Sequence, residues 1–139
     1  PNYELREYFQ ILCNNDYPGF IDKYINRVDL DYVVAYKKLS EQFIEKYKDK
    51  VNWKLVSKYQ NLSEQFIEKH ENLVNWTAIS KYQKLSESFI EKYDDDVNWY
   101  NIMAYQKHLS DEFKEKHMWK VSPLLRKYLT ENNSLEELN

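Results

Sequence analysis

Residues 74–96 read VNWTAISKYQKLSESFIEKYDDD, and this stretch recurs in register along the chain. Residues 51–73 read VNWKLVSKYQNLSEQFIEKHENL, and residues 28–50 read VDLDYVVAYKKLSEQFIEKYKDK. A fourth copy, VNWYNIMAYQKHLSDEFKEKH, begins at Val97 and carries one extra residue near His108. Starts at Val28, Val51, Val74 and Val97 are spaced by 23 residues, and a fixed period of this size marks a repeat architecture.

Each unit contains two helix starts. With Asn75 as N-cap, Val74 stands at N′ and Ile79 at N4, the pair that forms a hydrophobic staple. Ser86 repeats the device with Leu85 and Ile90, and Glu87 falls in the first turn, where a carboxylate favours the positive end of the helix dipole. The same reading makes caps of Asn52 and Ser63, of Asp29 and Ser40, and of Asn98 and Ser110. Two caps per unit predict two helices per unit, from Trp76 to about Gln83 and from Glu87 to about Tyr93.

Helices this short do not hold in water alone, so their apolar faces must be buried against each other and against the next unit. The candidate core is Val74, Trp76, Ile79, Tyr82, Leu85, Phe89, Ile90 and Tyr93, with the equivalents in other copies. No sustained alternation supports strands. The expected fold is all-α: an α-solenoid of tandem 23-residue two-helix repeats, about ten short helices in one domain over residues 1–139.

Both ends are degenerate. Residues 1–27 read as an N-terminal capping unit, with Leu5, Tyr8, Phe9 and Leu12 on one side of a first helix. Phe20-Ile21-Asp22-Lys23-Tyr24 matches residues 89–93, and Pro18 takes the first helical position, where proline is tolerated. Four repeats fill residues 28–120, and a cap and tail fill residues 121–139. There Val121-Ser122-Pro123 replaces Val-Asn-Trp, Leu124, Leu125, Tyr128 and Leu129 cover the open face, and residues from about Thr130 onward are expected to fray.

Composition excludes more than it proposes. Gly 1 and Pro 3 leave no phosphate-cradling loop, and one cysteine, Cys13, allows neither an intramolecular disulfide nor a cysteine-rich zinc site. No apolar run is long enough to span a membrane and no signal segment opens the chain, so a cytoplasmic location is expected. His70 and His117 stand where other copies have Tyr47 and Tyr93, which makes them aromatic replacements rather than ligands. Asp94-Asp95-Asp96 lacks the spacing and glycine of a cation loop. The serines at 40, 63, 86 and 110 are caps, and paired carboxylates recur in every unit whereas an active site occurs once. No enzyme, metal or cofactor is expected. Nucleic acid is disfavoured on two grounds: the aromatics are assigned to the core, and the net charge is −3.

Polar positions repeat as well. Gln60, Gln83 and Gln106 form one row; Glu41, Glu64, Glu87 and Asp111 form another, followed by Glu45, Glu68, Glu91 and Glu115 beside a lysine row. Repetition within one chain follows from duplication of a folding unit, so positions that differ between copies say more. These are Lys54, Thr77 and Tyr100, then Leu55, Ala78 and Asn101, then Ser57, Ser80 and Met103. Lys54, Leu55, Thr77, Tyr100 and Asn101 are therefore the candidate partner-binding residues.

The string Val-Asn-Trp…Ile-Ser-Lys-Tyr-Gln-Lys-Leu-Ser-Glu-x-Phe-Ile-Glu-Lys of residues 74–92 resembles short helical repeats in proteins of giant DNA viruses and some phages. The resemblance covers about residues 20–117 and brings no catalytic residues with it. It implies a viral or mobile-element origin and a role at a protein surface. The resulting expectation is a non-enzymatic interaction module that binds a host protein, a defence component being one candidate, and acts by occupancy in the host cytoplasm. It would be a monomer or small oligomer, without nucleic acid or membrane. Two alternatives stay open: a self-assembling structural or virion protein, and a nucleic-acid mimic whose carboxylate rows block a basic groove.

Overall fold

The computed structural model describes residues 19–136, the side chains of residues 133–136 excepted. Leu5, Tyr8, Phe9, Leu12, Cys13 and Pro18, on which the N-terminal capping reading rests, lie outside the described residues. Those described form ten α-helices and no strand: α1 (Phe20–Lys23), α2 (Leu30–Tyr36), α3 (Glu41–Lys46), α4 (Trp53–Tyr59), α5 (Glu64–Lys69), α6 (Trp76–Tyr82), α7 (Glu87–Lys92), α8 (Trp99–Tyr105), α9 (Asp111–His117) and α10 (Pro123–Glu136). A 3-10 turn, Met118–Lys120, follows α9. The chain is thus an all-α, solenoid-like repeat of helix pairs. It divides into two compact units, parted between Asn61 and Leu62.

Every internal helix starts on its own side-chain cap. Asn75 Oδ1 accepts the Ala78 N–H at 2.9 Å, and Asn98 Oδ1 accepts the Asn101 N–H at 3.0 Å. Asn52 Oδ1 accepts from Lys54 and Leu55. Ser63, Ser86 and Ser110 each accept the amide three residues on, at 3.1–3.2 Å. Asp29 and Ser40 do likewise for Tyr32 and Phe43. Ser63→Ala is expected to cost about 1 kcal/mol, the ordinary value of an N-cap. An unchanged urea midpoint would show that the serine contributes no capping energy.

In the unit 1–61, α2 packs on α4; in the unit 62–139, α6 packs on α8. The first helices of successive pairs therefore lie side by side. Completely buried are Val33, Val34 and Val56 in one unit, and Ile79, Leu85, Ile90 and Ile102 in the other. Val74, Phe89 and Tyr93 are buried as the periodicity predicts. Trp76 is half-buried: its ring stacks on Phe89 and Tyr93, and its Nε1–H donates to the Glu71 carbonyl at 3.1 Å. Trp99 repeats this with Phe113, His117 and the Asp94 carbonyl.

Tyr82 departs from the expected core. It is 46% exposed, and Tyr36, Tyr59 and Tyr105 at the same register are exposed too. The buried arc of α6 runs through Ala78, Ile79 and Ser80 to Gln83, which leaves the tyrosine at its side.

The repeated glutamines are the main cross-link between repeats. Gln106, 3% exposed, accepts the Leu85 N–H at 3.3 Å and donates to the Ser80 carbonyl at 2.9 Å and the Gln83 carbonyl at 2.5 Å. Gln60 does the same in its own unit, accepting from Leu39 and donating to the carbonyls of Val34 and Lys37. Gln83 accepts the Leu62 N–H at 3.1 Å. The carbonyls served are those a short helix leaves without an intrahelical partner at its C-terminus. Gln60 and Gln106 thus close the helix end of the repeat before them, each within its own unit.

Carboxylates of one second helix reach the next. Glu64 accepts the Ser86 N–H, and Glu87 accepts the Ser110 N–H at 2.6 Å, which holds the Glu87 carboxyl below its ordinary range. Lys46 pairs with Asp22 at 2.8 Å, Lys116 with Glu91 at 2.8 Å, and Lys92 with Glu68. Tyr93 donates to Glu71 at 3.1 Å, and burial followed by that hydrogen bond pushes its hydroxyl pKa up to about 12. A raised tyrosine pKa gives stability that is complete below the unfolded value near 10 and is lost as pH climbs toward 12. Tyr93→Phe should therefore flatten the alkaline limb of a urea-midpoint profile. An alkaline limb as steep as that of the unmodified protein would remove Tyr93 from its cause.

At the C-terminal end, Ser122 caps and Pro123 opens α10, as read from sequence. Met103, Val121 and Leu125 form the covering core, with Trp99, Met118 and Leu129 packed against it. Leu124 and Tyr128 do not join it; both are exposed. The helix continues to Glu136, and the Thr130 hydroxyl donates to the Arg126 carbonyl at 2.8 Å.

Candidate interaction surface

Lys54, Thr77 and Tyr100 occupy the second position of α4, α6 and α8, one residue after the tryptophan. All three are exposed. Leu55, one residue on, is half-buried.

Asn101 does not belong to that surface. It is buried, and its Nδ2–H donates to the Thr77 carbonyl at 3.0 Å. Its departure from Leu55 and Ala78 is explained by packing: an amide at this site finds the neighbouring helix's backbone. Ser80 is likewise spent internally, donating to the Trp76 carbonyl at 2.7 Å and accepting the Asn98 N–H at 2.9 Å. Where the next element is the cap helix, Met103 takes the same position and packs on Val121 and Leu125. Of the three variable registers, only the first is fully outward.

Sequence reasoning missed Leu124 as a member of that register. Ser122 and Pro123 match Asn98 and Trp99, so Leu124 aligns with Tyr100, and it is the most exposed large apolar residue described. The signal was present in the cap motif, but an apolar residue at a chain end was read as core.

An open cleft of about 400 Å³ lies at the end of the fourth repeat, lined by Glu91, Asp94, Lys116, His117, Trp119 and Lys120. The Lys120 ammonium pairs with Asp94 and stands over the rings of Trp99 and Trp119 at 4.9 and 5.1 Å. His117 Nε2 meets Glu91 at 3.0 Å, while its buried Nδ1 has no partner. Glu91 is held below the usual carboxylate range, first by Lys116 and then by His117. Two carboxylates and two ammonium groups satisfy one another here, so the cleft presents neither a net charge nor a nucleophile beside a base.

Among the described residues, no group of three or more His, Cys, Asp or Glu could hold a metal ion. No described helix is long and apolar enough to cross a membrane. Set against protein-family models, curated proteins and solved structures, the chain matches none.

Proposed function

We propose that the protein is a non-enzymatic interaction module of viral or phage origin that binds a host protein and acts by occupying its surface. One observation carries this reading. The repeated glutamines and cap residues are committed to joining repeats, whereas the outward second position of the first helices holds a different residue in each copy: Lys54, Thr77, Tyr100 and Leu124. A repeat array offers a surface whose residues can change without disturbing the core. Individualised outward side chains on a uniform frame suit recognition of one particular partner.

The test is capture from host lysate with the unmodified protein and with the triple variant Lys54→Glu, Thr77→Glu and Tyr100→Glu. A discrete protein should be retained by the first and lost by the second, with the melting temperature nearly unchanged because all three side chains are exposed. Capture that survives the triple change would move the contact to another face. Concentration-dependent growth into open assemblies on size exclusion would favour self-assembly instead.

A further inference from the structure

Charge is segregated along the second, third and fourth repeats, although the total is nearly balanced; the first helix of the first repeat carries Asp31. Residues 53–63, 76–86 and 99–110 hold the first helices and the turns after them, and they contain no Asp or Glu. They do contain Lys54, Lys58, Lys81, Lys84 and Lys107. In these three repeats the carboxylates lie on the second helices and the turns that follow those. The net charge of −3 therefore conceals first helices that carry lysines and no carboxylate.

On the carboxylate-free side stands the tyrosine register that the core does not bury. In the unit 62–139, the Lys81 ammonium lies 5.2 Å from the Tyr82 ring and 4.6 Å from the Tyr105 ring. The one ammonium thus bridges two rings carried by neighbouring first helices. Lys84 and Lys107, both exposed, sit in the turns two residues beyond each tyrosine. The unit 1–61 carries the same device, with Lys58 over Tyr59 at 4.8 Å.

The two outward registers of these helices have behaved differently since duplication. The second position reads Asp31, Lys54, Thr77, Tyr100; the seventh reads Tyr36, Tyr59, Tyr82, Tyr105. The seventh position is tyrosine in every copy, with 46–73% of its surface exposed. A repeated aromatic platform beside repeated ammonium groups fits a ligand that itself repeats flat rings and negative charges.

We propose that the Tyr82–Lys81–Tyr105 ridge, with Lys84 and Lys107, binds single-stranded nucleic acid. Bases stack on the tyrosine faces and phosphates meet the lysines, a mode that tolerates any sequence because every base has a stacking face. The acidic second-helix face repels the strand and confines it to the ridge. This site is distinct from the protein-binding register above, and either can fail without the other.

The test is fluorescence anisotropy of labelled oligo(dT) and oligo(U) titrated with the full chain at low and at moderate salt. Binding should weaken as salt rises, through counterion release. Tyr82→Ala and Tyr105→Ala should each weaken it about tenfold, the scale of one lost base stack. Tyr82→Phe should retain it, and Tyr100→Ala should leave it unchanged. The triple variant Lys81→Glu, Lys84→Glu and Lys107→Glu should abolish it with a preserved helical spectrum, which decides the matter even if a tyrosine variant misfolds. Absence of binding at low salt would overturn the proposal. So would equal affinity in the alanine variants, or competition by polyglutamate as effective as by unlabelled oligonucleotide, which would identify an acidic polypeptide as the ligand.

Discussion

Gln106→Ala is expected to destabilise the protein by about 3–5 kcal/mol, since three buried backbone groups lose their partner and each orphan costs about 1–3 kcal/mol. The groups are the Leu85 N–H and the carbonyls of Ser80 and Gln83, all from fully or almost fully buried residues that water does not reach. Against a total stability of order 5–15 kcal/mol, that loss is a large fraction of what holds such a domain folded. Gln106→Met keeps the volume and should still lose most of the stability, which separates hydrogen bonding from cavity formation. Gln106→Glu should be no better, because a carboxylate would face the two carbonyl oxygens that the amide now serves. Thermal and urea unfolding of the three variants check the order.

The second large effect is expected at Ile79. Its side chain is completely buried at the fourth position of α6. Ile79→Ala should cost about 2–5 kcal/mol, the transfer term together with the cavity it leaves. Thr77→Ala, two residues away but exposed, should stay within about 0.5 kcal/mol. Equal losses at the two positions would mean that α6 is rotated from the orientation described here.

The caps were legible because capping is local chemistry. Asn75 and Ser86 bond to amides three residues on, so residue type and spacing suffice to identify them. The 23-residue period then required stacking, since neither helix of a pair is stable alone. The glutamine clamp was not legible. Gln106 meets partners 21 to 26 residues earlier, and nothing in a Lys-Tyr-Gln string distinguishes a buried amide from a solvated one. Tyr82 was misplaced for a related reason. On a helix of two turns, three-residue spacing does not say which edge of the apolar arc meets solvent, and Gln83 rather than Tyr82 turned inward.

Among the candidate contact residues, sequence variation identified positions freed from the common pattern without giving the cause. Thr77 varies on the surface, whereas Asn101 varies because its amide reaches the neighbouring backbone. The charge segregation could have been read from residues 76–86 alone, which carry two lysines and no acid. Averaging over the whole chain concealed it.

The most direct measurement of the central claim, that the repeated glutamines hold the backbone of the turns and helix ends packed against them, is hydrogen exchange at the Leu62 and Leu85 amides. Neither lies in a helix, and they donate to the side chains of Gln83 and Gln106. The clamp predicts protection as high as that of Ile79 and Ile102 in the helices, lost at Leu85 when Gln106 is replaced. Exchange at the fast rate of an ordinary exposed turn, in the unmodified protein, would contradict it.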